Sequence, residues 1–247
     1  MITLYDLPSS FDDPNPITYS PFVLRVKFAL QHKGIPFTTH RVTYSEIASK
    51  AQAIGAPPTD VQPDGTPLYT IPFIYDSETN TAIADSFLIA KYLDRTYPNS
   101  GSTLLPEGTE ILQHLFASNT VMMPFVPLYN FLRVSIYEKM DAIMQAAYVE
   151  HYQSFDIQQK FEEEEMKQMW VQTEVGLGKL DQVMGENNAF VKEEPTFADD
   201  ALGANLRLIK FVIGEESKEW TAISSMWHNG RWGKYLDWLE NYKPRVA

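Results

Sequence analysis

Cysteine is missing from the chain altogether, which excludes disulfides, thiolate metal sites and a cysteine nucleophile in one stroke. The absence fits a reducing, intracellular setting, so a cytoplasmic location is expected. Histidine is scarce: His32, His40, His114, His151 and His228 never fall at metal-ligand spacing, and no metal site is expected. Positive charge is also in short supply. Against 32 acidic residues stand 20 basic ones, a net charge of −12 without a basic stripe, so neither nucleic acid nor an anionic membrane is an expected partner. No apolar run approaches the ~20 residues that span a bilayer. The opening "MITLYDLPSS" lacks the basic flank and apolar core of a signal peptide.

What is present is a foldable chain, with 44% hydrophobic residues, enough for a proper core. The first hundred residues alternate between strand and helix patterns. "ITLY" is β-rich and is followed by a Pro/Ser/Asp/Asn loop from Leu7 to Thr18. "SPFVLRVKFALQHKG" then carries both helix punctuation marks: Ser20 as N-cap, Pro21 in the first position and Gly34 past the end. Val23, Val26, Ala29 and Leu30 recur on one face of it. "IPFTTHRV" reads as a strand and "YSEIASKAQAIG" as a short helix, while "GAPPTDVQPDGTPLY" reads as loop. "TIPFIYD", "SETN" and "TAI" form a hairpin, and "DSFLIAKYLDRTY" a helix with Leu88, Ile89, Tyr92 and Leu93 inward. The order βαβ–ββα is the thioredoxin topology.

After Tyr97 the pattern changes. "PNSGSTLLPEGT" is a polar connector, and 110 to 135, 139 to 153 and 157 to 184 carry helical spacing, with shorter helices up to Tyr242. The expected division is a thioredoxin-like α/β domain over 1–97, a linker over 98–109 and an all-α domain over 110–247. The acidic run Glu162 to Glu165 reads as a solvated helix face. "GLGK", starting at Gly176, has two glycines in register with a dinucleotide loop but no third glycine and no preceding strand, so a nucleotide site is not expected.

Two features of the α/β half invite a chemical reading. Pro72 sits in a short strand, where it forfeits a backbone donor. A cis Ile71–Pro72 bond would turn the Ile71 N–H and C=O outward as a docking edge for an extended peptide; the plainer reading is a trans proline at a strand edge. Asp85 and Ser86 open the next helix. They are either a simple N-cap, or a Ser86 hydroxyl and N–H for a carboxylate beside an Asp85 carboxylate for an ammonium.

"YTIPFIYDSETNTAIADSFLIAKYLD" resembles the glutathione-binding segment of the glutathione transferases. "PTFADDALGANLRL" is similar to the capping box that starts a buried helix in their helical domain, with Thr196 and Asp199 in its two positions. "YSPFVLRVKFALQHKGIPF" with "GAPPTDVQPDGTPLYTIP" is similar to the fungal, serine-type branch related to bacterial β-etherases. The resemblance implies that Asp85 and Ser86 hold the γ-glutamyl head of glutathione while Ile71, before Pro72, pairs with its cysteinyl backbone. The sulfur then lies over Ser20, whose O–H would stabilise the thiolate that the chemistry needs. Capping alone is the alternative role for Ser20, and Tyr5, Ser9, Ser10, Thr18 and Tyr19 are rival hydroxyls in reach of the same loop. Where that branch has Ser-Pro-Asn and an aromatic, this chain has Phe22 and Leu24, which alters the wall of the thiol pocket.

Arg41 is the candidate cation for the glycyl carboxylate. Phe22, Met122, Met123, Phe125 and Tyr129 are candidates for a hydrophobic substrate site between the domains, although a Met/aromatic stripe also serves as plain core. The implied activity is transfer of glutathione to a hydrophobic or aromatic electrophile or attack on a hydroperoxide, in detoxification, with wood- or lignin-derived aromatics and ether cleavage within its range. Glutathione is then the co-substrate and a homodimer the implied assembly. A ligandin that holds aromatic compounds without turnover is the alternative, and a domain that keeps the fold without turning over substrate is a third.

Overall fold

The computed structural model of the protein describes residues 1–11, 13, 18–152, 156–191 and 193–244; the expected loop from Leu7 to Thr18 falls partly outside them. The chain divides into two compact units. One comprises Met1–Leu104, Met140–Phe155 and Lys243–Ala247, the other Leu105–Lys139 and Asp156–Tyr242.

In the first unit, β1 (Ile2–Asp6) lies at the centre of a four-stranded sheet of order β2-β1-β5-β6. It pairs in parallel with β2 (Phe37–Arg41) and antiparallel with β5 (Phe73–Asp76), which pairs antiparallel with β6 (Thr81–Ala84). This is the mixed α/β sheet expected of the pattern. α1 (Pro21–His32) packs on it through Val23, Val26, Ala29 and Leu30, all buried. Ser20 caps this helix, and the chain leaves it through Gly34 in the left-handed region at φ 65°.

α2 (Ile47–Ala53) follows a single 3₁₀ turn. The stretch read as pure loop contains a short hairpin, β3 (Asp60–Val61) with β4 (Pro67–Leu68). Its prolines leave the needed donors in place: Thr59 N–H bonds Leu68 C=O at 2.8 Å and Gln62 N–H bonds Thr66 C=O at 2.8 Å. α3 (Ser86–Thr96) buries Ser86, Ile89, Ala90 and Leu93. Leu88 does not face inward as expected; it is half exposed, because a stripe through 86, 89, 90 and 93 leaves position 88 on the opposite side. The far end of the sheet is tied by Asp76, whose buried carboxylate accepts from Tyr92 and Tyr97 hydroxyls and the Glu78 N–H. Among the connector residues, Ser102 and Leu104 are fully buried, and the Lys33 ammonium bridges Asp94 (2.9 Å) and the Ser102 carbonyl (3.2 Å).

A later helix belongs to this unit too. α6, running Ala142–His151, is capped by Asp141, and Tyr44 stacks on His151 at 4.8 Å between centroids.

The second unit contains no strand among its described residues. The expected helix over 110 to 135 is interrupted. α4 (Glu110–Leu115) passes into a wide turn over Phe116–Thr120, then a 3₁₀ segment over Met123–Leu128, before α5 (Tyr129–Glu138). Pro124 and Pro127 lack the N–H that an α-helix needs there. α7 runs Glu163–Met184, later than the pattern from 157 suggested, and Glu163, Glu164 and Glu165 occupy its first turn. There the acidic run meets the positive end of the helix dipole as well as solvent.

Gly176 lets α7 pass close to the 3₁₀ segment: a Cβ there would stand 2.7 Å from Pro124 Cα, and one at Gly178 would stand 2.9 Å from His228 Nε2. Close packing therefore accounts for the paired glycines. α8 (Phe197–Ile213) is buried on almost every side. Its start is a reciprocal capping box: Asp199 Oδ2 accepts from Thr196 N–H (2.9 Å) and O–H (2.6 Å). Oδ1 accepts from Phe190 N–H (3.1 Å) and from Tyr235 O–H (2.6 Å). Gln113 Oε1 accepts the Ala198 N–H at 2.8 Å. α9 (Lys218–Thr221) and α10 (Arg231–Asn241) complete the unit. No helix of the described residues is long and apolar enough to cross a membrane.

Candidate functional site

Strand register brings the α/β candidates to one end of the sheet. Leu4 pairs with Ile74, so β1 ends where β5 begins; Phe73 pairs with Ala84, so β6 ends there too. Asp6 pairs with Arg41, which places the last residue of β2 at the same end. Ser20 enters α1, Ile71 and Pro72 precede β5, and Asp85 and Ser86 open α3, all at this edge.

The Ile71–Pro72 bond is cis. Pro72 C=O accepts the Asp85 N–H at 3.2 Å, which ties the two motifs together. No hydrogen bond joins the Ile71 N–H or C=O to another described residue. Asp85 is the N-cap of α3, with its backbone in the left-handed region at φ 78°. Its Oδ1 accepts from Phe87 N–H (2.9 Å) and Leu88 N–H (3.0 Å), so the capping reading holds for one oxygen, and Oδ2 has no hydrogen-bond partner among the described residues. Ser86, in the first helical position, is 4% exposed. Its N–H is one of the donors a helix start leaves over.

Ser20 is half-buried, in extended conformation (φ −89°, ψ 116°), and its Oγ accepts the Val23 N–H at 3.2 Å. That contact uses an oxygen lone pair and leaves the hydroxyl proton for another acceptor. The rival hydroxyls are committed elsewhere. Tyr5 is buried and stacked on Phe73 at 4.4 Å, and burial raises its phenol further, with Tyr75 adding to the effect. Tyr19 is buried, and burial together with the Asp141 carboxylate pushes its phenol far above the ordinary range. Ser9 and Ser10 face the neighbourhood of Asp141: Ser9 C=O accepts the Asp141 N–H at 3.4 Å, and the Ser10 side chain helps hold the Asp141 carboxyl low. Thr18 is 1% exposed.

Arg41 donates from Nη1 to the Asp13 carbonyl at 2.9 Å. Phe22, in the first turn of α1, is 44% exposed and lies under the Arg25 guanidinium at 4.8 Å. In the helical unit, Met123 and Tyr129 are well exposed, with Arg133 over the Tyr129 ring at 5.5 Å. Met122 is half-buried, its sulfur accepting from Asn205 Nδ2 at 3.3 Å. Phe125 is packed in the core of that unit. Sequence pattern missed the half-buried aromatic group of Phe131, Phe161 and Trp170, joined edge to face at 6.0 and 6.2 Å. It unites one residue of α5 with two from the α7 region, too far apart in the chain to read as one motif.

The arrangement matches two family models, the glutathione S-transferase N-terminal domain over residues 19–96 and the glutathione S-transferase C-terminal domain over 111–242. The chain belongs to the glutathione S-transferase family. Among solved glutathione S-transferases, CsGST63524 of Ceriporiopsis subvermispora, crystallised in complex with glutathione, is 28% identical and superposes with a TM-score of 0.85 over 99% of this chain and 98% of that one. GSTFuA2 from Phanerochaete chrysosporium is 30% identical, with a TM-score of 0.84 over 100% and 99%. A curated relative, the glutathione S-transferase-like protein ustS of Aspergillus flavus, is 33% identical over 112 residues, 43% of this chain but only 39% of its own length. The thioredoxin-like and helical halves of the glutathione S-transferase fold are thus both present, and these three relatives come from fungi.

Proposed function

We propose that the protein is a glutathione transferase of the serine type, in which Ser20 stabilises the glutathione thiolate. The observation that carries the reading is the state of Ser20: at the mouth of α1, half-buried, accepting from its own helix and still holding a hydroxyl proton. A thiol ordinarily ionises near pH ~8.5, and only the thiolate is the nucleophile. Lowering that value by ~2 units needs roughly 2.7 kcal/mol of preference for the ionised form. A hydrogen bond to a charged acceptor supplies ~1.5–3 kcal/mol, and the helix end ~0.3–1 kcal/mol more. No imidazole is required.

Ile71 and Ser86 support the placement of the tripeptide. The main chain of Ile71 offers one donor and one acceptor to the cysteinyl residue, as a strand edge does. Ser86 N–H and O–H suit the γ-glutamyl carboxylate, and Asp85 Oδ2 its ammonium. Arg41, at the same sheet edge, is assigned to the glycyl carboxylate. The thiolate forms a C–S bond at an electrophilic carbon while the leaving group departs with its bonding pair; at a hydroperoxide it forms an S–O bond to the terminal oxygen as the O–O bond breaks, giving glutathione sulfenic acid and an alkoxide that leaves as the alcohol on taking a proton. Met122, Met123 and Tyr129 are assigned to a hydrophobic or aromatic second substrate. The exposed Met123 and Tyr129 also favour a ligandin reading, in which aromatic compounds bind without turnover.

The test is an ultraviolet titration of glutathione thiolate bound to the wild type and to Ser20→Ala. Loss of the hydroxyl is expected to raise the bound-thiol pKa by ~1–2 units and to remove most conjugating activity, with aromatic ligand affinity retained. An unchanged titration removes Ser20 from the mechanism, and aromatic binding without any conjugation by the wild type leaves the ligandin.

A further inference from the structure

A hydroxyl tunes a thiol only if the backbone beneath it is held in place, and a buried ionic support lies directly behind Ser20. The Ser20 N–H donates to Thr18 Oγ1 at 3.3 Å. Thr18 is fixed in turn by an isolated bridge to Pro8, closing the loop between β1 and α1. Behind Thr18 stands Asp6, 3% exposed, the last residue of β1, whose C=O accepts the Val42 N–H at 2.9 Å. Burial pushes the Asp6 carboxyl up; the Lys27 ammonium on Oδ2 at 2.7 Å and the Thr18 hydroxyl pull against it. Oδ1 is buried and has no hydrogen-bond partner among the described residues. Lys27 lies seven residues after Ser20, two helical turns along the same face of α1. Asp6 therefore grips the helix body through Lys27 and faces its mouth through Thr18.

We propose that Thr18, backed by the Asp6–Lys27 pair, is a positioning residue for Ser20: it fixes the main chain at residue 20 so that the serine proton is aimed out of the helix mouth at the glutathione sulfur. This rests on the reading of Ser20 given above. Thr18 does not touch substrate. It acts by removing the freedom of the neighbouring backbone, and charge on Asp6 stiffens the contact because hydrogen bonds to ionised groups are stronger.

The experiment compares full-length wild type, Thr18→Val, Thr18→Ser and Ser20→Ala by ultraviolet titration of bound glutathione, calorimetric affinity for glutathione and thermal midpoint. Thr18→Val is expected to raise the bound-thiol pKa by roughly 0.5–1 unit while glutathione affinity changes less than about threefold, and Thr18→Ser to restore the wild-type titration. A folded Thr18→Val protein with the wild-type titration, or one weakened only in glutathione affinity, overturns the proposal; so does failure of Thr18→Ser to restore the pKa. Should Thr18→Val not fold, the double variant Asp6→Asn/Lys27→Met removes the pair without stranding a charge, and is expected to shift the thiol in the same direction. No shift there is equally fatal. Ser20→Ala keeps the two ideas apart: if it leaves the thiol unmoved, the Ser20 reading itself falls, whatever Thr18 does.

Discussion

Asp199→Ala offers the sharpest test of how the helical unit is held together. The carboxylate is fully buried and accepts from Thr196 N–H and O–H, Phe190 N–H and Tyr235 O–H. Alanine leaves the two backbone donors and the tyrosine hydroxyl buried without partners. At ~1–3 kcal/mol for each stranded donor, the loss is on the order of 4–6 kcal/mol. That is a large part of the ~5–15 kcal/mol that holds a domain folded. At ~2–4 °C per kcal/mol for a chain of this size, the thermal midpoint followed by circular dichroism should fall by roughly 8–24 °C.

Asp199→Asn adds a pH test. Burial pushes this carboxyl from its ordinary 3.8 up to about 6, although its donors pull it down. The folded protein thus binds the proton more tightly than the unfolded chain does. The group's contribution to stability is complete below pH 3.8 and is lost as pH rises through about 6. At 1.36 kcal/mol per unit, this amounts to about 3 kcal/mol. Between these limits the wild type should lose stability relative to Asp199→Asn, measured by urea midpoint. A midpoint for Asp199→Ala within about 2 °C of wild type, or a wild-type-minus-Asn difference that rises with pH, would refute the reasoning.

Asp76 should behave with the opposite sign. Burial raises its carboxyl, but the Tyr97 and Tyr92 hydroxyls outweigh that and hold it below 3.8. Asp76→Asn is expected to lower stability by ~1–3 kcal/mol at neutral pH, a difference present above pH 3.8 that shrinks as pH falls below it, read from urea midpoints. Gly176→Ala should lower the thermal midpoint by several degrees, a cost of ~1–3 kcal/mol for overpacking, because the new Cβ would meet the Pro124 backbone. Gly55→Ala, with nothing within 4 Å and φ 74°, tests backbone strain alone and should cost less, about 1 kcal/mol.

Local chemistry made the α/β half legible. Ser20, Pro21 and Gly34 mark their helix because each relieves a specific backbone difficulty, and the apolar period of α1 survives in its packed face. Thr196 and Asp199 are readable for the same reason, since both partners lie within one turn. The failures are those where distance decides. Leu88 has a helical period that fits either side, and only the packing of Ile89 and Leu93 selects the face. The break at Pro124 and Pro127 was open to reading from the prolines, but the close approach of Gly176 that accommodates it was not. In the candidate site, Ile71, Pro72, Asp85 and Ser86 stand near each other in sequence, whereas the link from Asp6 to Thr18 and Lys27 joins a strand, a loop and a helix.

The placement of 140–155 with the α/β unit carries a consequence for anyone who would divide the chain. A fragment ending at Leu104 would shed Asp141, which accepts the Phe11 N–H at 2.9 Å, and strip the Tyr44 ring of its cover by His151 and Tyr148. The amino-terminal half is therefore no self-sufficient module: its loop beyond β1 is finished by the cap of a helix that ribosomes deliver 130 residues later.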